Sequence, residues 1–402
     1  MRSTRTGHRW AAIMVAALLM TLAAAIAAPA QTYTVVYTFQ GGTDGSFPQA
    51  GVVVDGLGNF YGTTPFGGAF DFGTVFRVDP AGNETILYSF TGGSDGARAY
   101  SGVILDQTGN LYGTTSEGGV SNLGVVFKVD SKGNETVLHS FGASVYDGAT
   151  PAAGLLRDPA GNLYGTTAGG GTIGYGTVFM IDHGGNLTTL HSFTGLPTDG
   201  EGPFAALVRD SAGNLYGTTQ QGGSDGVGTV FEVDAAGGET ILHSFTGSDG
   251  QSSDAPVFRD AAGNLYGTTN QGGVRGAGTA FKLDPSGSET TLHNFLDKAD
   301  GGYPQAGLAR DATGSLYGTA AGGGNSADCL AFGGGCGVIF RLSPSGRETL
   351  LYTFTGGSDG SDPHSSLLPY KGNLYGTAEL GGDASGACNP YGCGVVFKLS
   401  LR

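Results

Sequence analysis

The sequence predicts an all-β fold: a seven-bladed β-propeller of four-stranded antiparallel blades. Three observations predict it. A motif of the form G-N-L-Y-G-T-T recurs with its tyrosine at Tyr61, Tyr112, Tyr164, Tyr216, Tyr266, Tyr317 and Tyr375, at spacings of 51, 52, 52, 50, 51 and 58 residues. A fixed period of about fifty residues marks a solenoid, a propeller or an array. Each unit reads as four short strands between turn signals, with no helical period. Finally, the array begins on a fourth strand and ends on a third, so its ends complement each other.

The unit from Ala153 to Phe193 shows the elements in order. An apolar run, Gly154-Leu155-Leu156, is strand A. The turn Asp158-Pro159-Ala160-Gly161-Asn162 follows, with Asp first and Gly where a positive φ is needed. Leu163-Tyr164-Gly165-Thr166-Thr167 is strand B. A Gly-rich loop leads to strand C, Gly176 to Asp182, and a second Asp-led turn leads to strand D, Leu187 to Phe193. Four antiparallel strands repeated radially form a propeller blade. With A innermost, the short A–B and C–D turns share one face, and the longer B–C and D–A loops share the other, the loop face. Tyr33 to Phe39 matches the strand D segment Glu135 to Phe141, and the chain closes on Val395 to Leu399, a strand C. The first strand should therefore complete the last blade, which removes sheet edges that invite aggregation. An open solenoid would carry polar caps instead.

Composition fits this reading. The 77 glycines among 402 residues are periodic, which separates the chain from disordered Gly-rich sequence. Residues 1–30 read as a secretion signal: Arg2, Arg5 and Arg9, an apolar run from Ala11 to Ala28, and a small-residue cleavage site at Ala28-Pro29-Ala30. An uncleaved membrane anchor is the alternative reading of the apolar run. Residues 31–402 then form the propeller, with no membrane span in the mature chain and a secreted, extracellular or periplasmic location. Cleavage would move the net charge from −15 to −18. Such a charge argues against nucleic acid or an anionic membrane as partner.

The four cysteines sit in two B–C loops. Four residues separate Gly-Gly from the Gly opening strand C in blades one to five, but twelve do so in blade six and eleven in blade seven. Each long loop carries two Cys. In a secreted chain these can form disulfides, and locality favours Cys329–Cys336 and Cys388–Cys393 among the possible pairings. A four-Cys zinc site is the alternative, although the spacings fit short zinc knuckles poorly.

The pattern G-N-L-Y-G-T-T-x-x-G-G, then G-[TV]-V-F-K-V-D-x-x-G-N-E-T-[VI]-L-H-S-F, then D-G, resembles the GloVer-type tandem repeat of bacterial secreted or surface proteins. The paired Asp-led turns look more loosely like NHL-type propellers. The resemblance spans essentially the whole mature chain. It implies a repeat domain outside the cytoplasm and brings no activity or catalytic residues with it.

Candidate sites are therefore weighed residue by residue. Asp44, Asp95, Asp147, Asp199, Asp249, Asp300 and Asp359 each precede Gly in a D–A loop, where they should ring the channel mouth. Carboxylates and carbonyls suit calcium, but Asp-Gly also simply makes turns. Arg157, Arg209, Arg259 and Arg310 end strand A in blades three to six. They could form a half-ring for an anionic ligand or pair with neighbouring turn Asp residues. His139, His191, His243 and His293 alternate with Tyr37, Tyr88 and Tyr352 at one strand D position, which suits packing with one polar tip satisfied. His183 and His364 stand alone in turns or loops, and Glu117, Glu201 and Glu379 are scattered, so no catalytic arrangement can be argued. Phe66, Phe70, Phe72, Tyr100, Tyr146, Tyr175, Tyr303, Phe332 and Tyr391 lie in loop-face segments and could form an aromatic collar. Asn83, Asn134 and Asn186 match the glycosylation sequon only because the turn and strand require those residues.

The expected function is a secreted or surface binding module that acts as a monomer through its loop face, with the two Cys loops and their Phe332 and Tyr391 as a raised patch. Its partner would be an extracellular protein or glycan. A secreted enzyme acting on glycans, lyase or hydrolase, and a purely structural envelope component are the alternatives.

Overall fold

A computed structural model describes residues 31–144, 146–324, 329 and 335–401. The expected signal segment, residues 1–30, lies outside the described residues, as does Phe332. The described residues form seven four-stranded antiparallel sheets and no helix. In blade three, strands A to D are Leu156–Arg157, Leu163–Thr167, Thr177–Ile181 and Leu187–Ser192. Strand A is shorter than its apolar run suggests: Gly154 lines the axis and Leu155 is buried between blades, and the ladder begins only at Leu156. Blade seven comprises Leu368–Tyr370, Asn373–Ala378, Val395–Ser400 and, as strand D, the N-terminal Thr32–Thr38. The ring closes as the sequence predicts.

Each letter of the Y-G-T-T motif has a mechanical role. The tyrosine hydroxyl bonds the Asp of the A–B turn, as from Tyr164 to Asp158 at 3.2 Å. A Cβ on the glycine would strike the Phe of strand C, 2.6 Å from the ring at Gly165 and Phe179, so only Gly lets that ring lie flat on the strand. The first threonine reaches the next blade. Thr63, Thr114, Thr166, Thr218, Thr268, Thr319 and Thr377 donate to the carbonyls of Ser101, Ala153, Ala205, Ala255, Ala306, Ser365 and Ala50, at 2.6 to 3.2 Å. The last of these crosses the closure. The second threonine works within its blade, as in the Thr167–Thr177 hydroxyl contact at 2.8 Å.

The core is a series of seams between blades. The Phe that ends each strand D packs edge-to-face on the strand C Phe of the following blade. These pairs run from Phe39–Phe76 to Phe354–Phe397, with centroids 5.1 to 5.5 Å apart. All fourteen rings are fully buried. Edge-to-face pairs add to area burial, and here they join neighbours rather than fill one blade. Both predicted disulfides form, Cys329–Cys336 and Cys388–Cys393. No helix among the described residues is long and apolar enough to cross a membrane.

Candidate binding site at the loop face

The site begins with the segment that follows each D-G pair. The third residue after the Asp has a left-handed backbone in every blade: Phe47, Arg98, Thr150, Gly202, Ser252, Tyr303 and Asp362, with φ between 53° and 65°. Six of the seven are not glycine, a conformation that costs free energy unless its surroundings enforce it. Backbone bonds enforce it here. The seven amides donate to carbonyls that precede strand C of the previous blade, from Phe47 to Cys393 through Asp362 to Cys336. In blades two to seven the carbonyl of the same residue accepts the amide that follows the Thr pair, as from Glu379 to Asp362. Blade one has Pro65 there, which has no amide to give. The D–A and B–C loops of each blade also pair across Asp-Gly and Gly-Gly, as strands or isolated bridges. This scaffold is built from backbone and does not depend on side-chain identity.

The next residues alternate with the period of a strand. The sixth after the Asp is Ala or Ser in all blades, and its carbonyl is the one held by the neighbouring Thr. The fifth and seventh face the axis. The seventh is small: Gly51, Gly102, Gly154, Ala206, Pro256, Gly307 and Ser366. At Gly51 a Cβ would lie 2.7 Å from the Ser366 carbonyl, so the blades approach closely and the channel narrows. The fifth position is Gln49, Tyr100, Ala152, Phe204, Asp254, Gln305 and His364, and these seven line one cavity of about 540 Å³ above that waist. Ser116, Glu117, Asn122, Thr150 and Gln220 complete its wall. A smaller cavity of about 220 Å³ continues down to the waist.

One sector is strongly polar. His364 Nε2 lies 2.7 Å from Asp362 Oδ1, and Nδ1 lies 3.5 Å from Glu379 Oε2. Gln49 Nε2 donates to the other Glu379 oxygen at 3.0 Å. Burial pulls the His364 pKa down, but the bond and charge of Asp362, with Glu379 and Asp254 nearby, outweigh it and raise it. Burial raises the Glu379 and Asp254 carboxyls. Asp254 Oδ1 is buried with no hydrogen-bond partner among the described residues, while the carboxyl has the side-chain amides of Gln220 and Asn270 beside it, the latter 3.5 Å from Oδ2. The Asp362, His364 and Glu379 ligand atoms lie within 4.8 Å of one another, as do those of His191, Asp199 and Glu239, and of His293, Asp300 and Glu348. Each group has the donors for a divalent cation.

Of the residues singled out from sequence, Tyr100, Glu117 and His364 line this cavity, whereas the Asp-Gly aspartates and the arginines lie elsewhere. The seven D-G aspartates were expected at the channel mouth, but they sit against strand D, the outermost strand. Their carboxylates face the strand D Tyr or His, as in Tyr88 to Asp95 at 2.9 Å and His139 to Asp147 at 3.1 Å. Asp95 also accepts from the Thr91 amide and hydroxyl. The four arginines lie at the opposite, turn-face end of strand A. Each guanidinium stacks over the motif Tyr of the preceding blade at 5.2 to 5.7 Å. Arg259 and Arg310 also approach Asp210 and Asp260 at 3.9 and 3.7 Å. Tyr391 is exposed at the loop-face rim. His364 and Glu379, read from sequence as isolated, are brought together with Asp362 and Asp254. The sequence held a signal for His364 and Asp254: a position fixed in register across all seven repeats whose identity changes from blade to blade.

Fold and pocket together define a closed seven-bladed propeller with a polar cavity on its axis. The chain belongs to the Gloeobacter/Verrucomicrobia repeat family, which it matches over residues 24–212 and 197–397. No curated protein matches it. Among solved structures it is similar to the extracellular domain of a proposed one-component system from B. thetaiotaomicron, with a TM-score of 0.55 and 11% identity over 91% of this chain and 39% of that one. The extracellular domain of a proposed hybrid two-component system from the same organism is similar too, with a TM-score of 0.55 and 12% identity over 92% and 41%. This chain thus spans about two fifths of either neighbour, and at these identities the likeness concerns the fold alone.

Proposed function

We propose that this protein is an extracellular binding module that takes a small polyhydroxylated ligand, of the carbohydrate class, in the axial pocket of its loop face. The observation that carries this reading is the variable ring. At one register position, where every blade presents a side chain to the same cavity, the residues are Gln, Tyr, Ala, Phe, Asp, Gln and His. The residues beside them stay small or repeat. Repetition serves the blades, and departure from it at a point of convergence serves a ligand. The cavity size suits a small ligand. Amide side chains of Gln49, Gln220, Gln305 and Asn122 can pair with hydroxyls, and the Tyr100 and Phe204 rings offer apolar faces to a sugar ring.

Exposed apolar residues support the same face. Among the described residues, Phe70, Val120, Tyr146, Ile173, Leu196, Val274 and Tyr391 are exposed in loop-face segments, against Leu57 alone in an A–B turn. The disulfides and the signal-like residues 1–30 support an oxidising compartment. A catalytic reading on the same ligand is favoured by one observation, the His364 ring set among three carboxyl groups.

The test is calorimetric titration of the chain with a panel of neutral and charged oligosaccharides, beside a Tyr100→Ala/Phe204→Ala double variant. At least one glycan should bind, and the double variant should weaken it by about tenfold or more. Analysis of the titrated sugar for cleavage would reveal turnover. Binding that ignores the double variant, or no binding by any glycan, overturns the proposal.

A further inference from the structure

The ring is polarised across the axis. Blades five and seven bring Asp254, Asp362 and Glu379 around His364. Glu117 lines the cavity from blade two. Among the described residues that line it, none is Lys or Arg. The nearby Arg98 is turned away: its guanidinium binds the Pro65 and Asp71 carbonyls and stacks 4.2 Å above the Phe66 ring. Three carboxyl groups thus surround a single imidazole, and Glu117 adds a fourth to the cavity wall.

Asp254 differs from the turn aspartates. Asp158 accepts the Asn162 amide and side chain at 2.9 Å and the Tyr164 hydroxyl at 3.2 Å. Asp254 has no backbone donor and only the side-chain amides of Gln220 and Asn270 beside it, the latter at 3.5 Å, and its Oδ1 accepts no hydrogen bond among the described residues. A sheltered carboxylate short of donors calls for explanation, and the cavity offers one: the missing donor arrives with the ligand. Carboxylate and aromatic faces around one cavity are also the chemistry that recognises an ammonium group.

Resting on the carbohydrate reading above, we propose that the axial pocket recognises a protonated amine on its ligand, with Asp254 as the principal acceptor and Tyr100 and Phe204 as the aromatic walls. A ligand with hydroxyls beside a protonated amine is an amino sugar in chemical class. Gln305 holds the same register position in blade six, so Asp254→Gln should leave the fold intact while removing the charge.

The experiment compares two probes of one skeleton, a fully deacetylated chitosan tetrasaccharide and its N-acetylated chitin counterpart. Both are titrated into the full chain at mildly acidic pH and at two salt concentrations. The deacetylated probe should bind about tenfold tighter or more, a difference of about 1.4 kcal/mol. Its affinity should fall with salt, and Asp254→Gln should erase the preference while the melting temperature holds. Equal binding of the two probes, sensitive to the Tyr100/Phe204 double variant, overturns the amine inference and leaves the carbohydrate pocket standing. A preference that survives Asp254→Gln overturns the role of Asp254. Binding of neither probe overturns the amine inference, and the neutral panel then decides the pocket separately.

Discussion

The two ends of the channel-lining strand are built by opposite rules. At the turn end, Asp55, Asp106, Asp158, Asp210, Asp260 and Asp311 repeat one arrangement, each carboxylate bonded by backbone amides and the motif Tyr. Burial opposes ionisation there, but these bonds outweigh it and hold all six below the usual Asp range. At the loop end, seven equivalent positions carry six residue types that build nothing for the blade. In six blades the turn end is saturated and identical, with Tyr370-Lys371-Gly372 replacing the Asp turn only in blade seven, whereas the loop end is unsaturated and varied throughout. A side chain that holds its blade together recurs in nearly every blade. One held in place by backbone bonds alone is free to change, and only there can a repeat protein acquire a site without dismantling itself.

The sharpest way to break this comparison is to remove the element that makes all blades equivalent. Deleting residues 31–39 takes away strand D of blade seven, the Phe39–Phe76 contact and the Tyr33 stack on Tyr352. It also bares the Val395–Ser400 edge. The cooperative melt should vanish, or its midpoint should drop by more than about 10 °C, with aggregation through the bared edge. A melt that does not move would mean that the ring does not depend on this closure.

Next in size is a matched pair of truncations. Phe179 is fully buried against Phe141 and Gly165, and Phe179→Ala should cost about 3–5 kcal/mol. Phe204 lines the cavity at a position that blade three fills with Ala152, so Phe204→Ala should cost less than about 1 kcal/mol. Denaturant unfolding of both variants measures the difference. Comparable losses would show that the variable ring is structural after all, and would dissolve the distinction between scaffold and site.

Much of the scaffold was legible because it recurs. Strand order, blade count, closure and the two local disulfides all follow from comparing one repeat with the next. The work of the two threonines was not legible, since sequence does not say which hydroxyl points at the neighbouring blade. The pairing of Asp-Gly with Gly-Gly was hidden as well, because backbone bonds leave no side-chain signature. The pocket was missed for a different reason. Attention to repeat-wide residues selected Asp44 to Asp359, and attention to a set shared by four blades selected the arginines; both sets serve the blades. Attention to insertions selected the Cys loops. His364 and Asp254 belong to neither set, and only reading down a single register position, blade by blade, would have picked them out.

The smallest expected effect concerns the seams, where the comparison can be sharpened by pH. Glu84, Glu135, Glu239 and Glu348 open strand D beside a D-G Asp from the preceding loop. Burial first, and then that Asp, push each carboxyl up to about 7. A carboxyl raised in the folded state holds its proton after the unfolded chain has lost it, so stability falls as pH rises from about 4.5 to about 7 and is level above that. The turn aspartates act in the other direction and lower down, since their depressed values stabilise the fold above the ordinary Asp range and fail below it. Stability should therefore peak near pH 4.5, on the acidic side of neutrality. Glu239→Gln keeps the shape and removes one of the four groups. At pH 7.5 it should melt higher than the parent by roughly one degree, with a shallower fall between pH 5 and 7. These Glu side chains keep partial contact with solvent, so screening keeps the effect small. A parent protein whose melting temperature rises steadily from pH 5 to 7.5 would show that the seam carboxylates are ionised throughout, and that the blades are joined by charge pairs rather than by protonated acids.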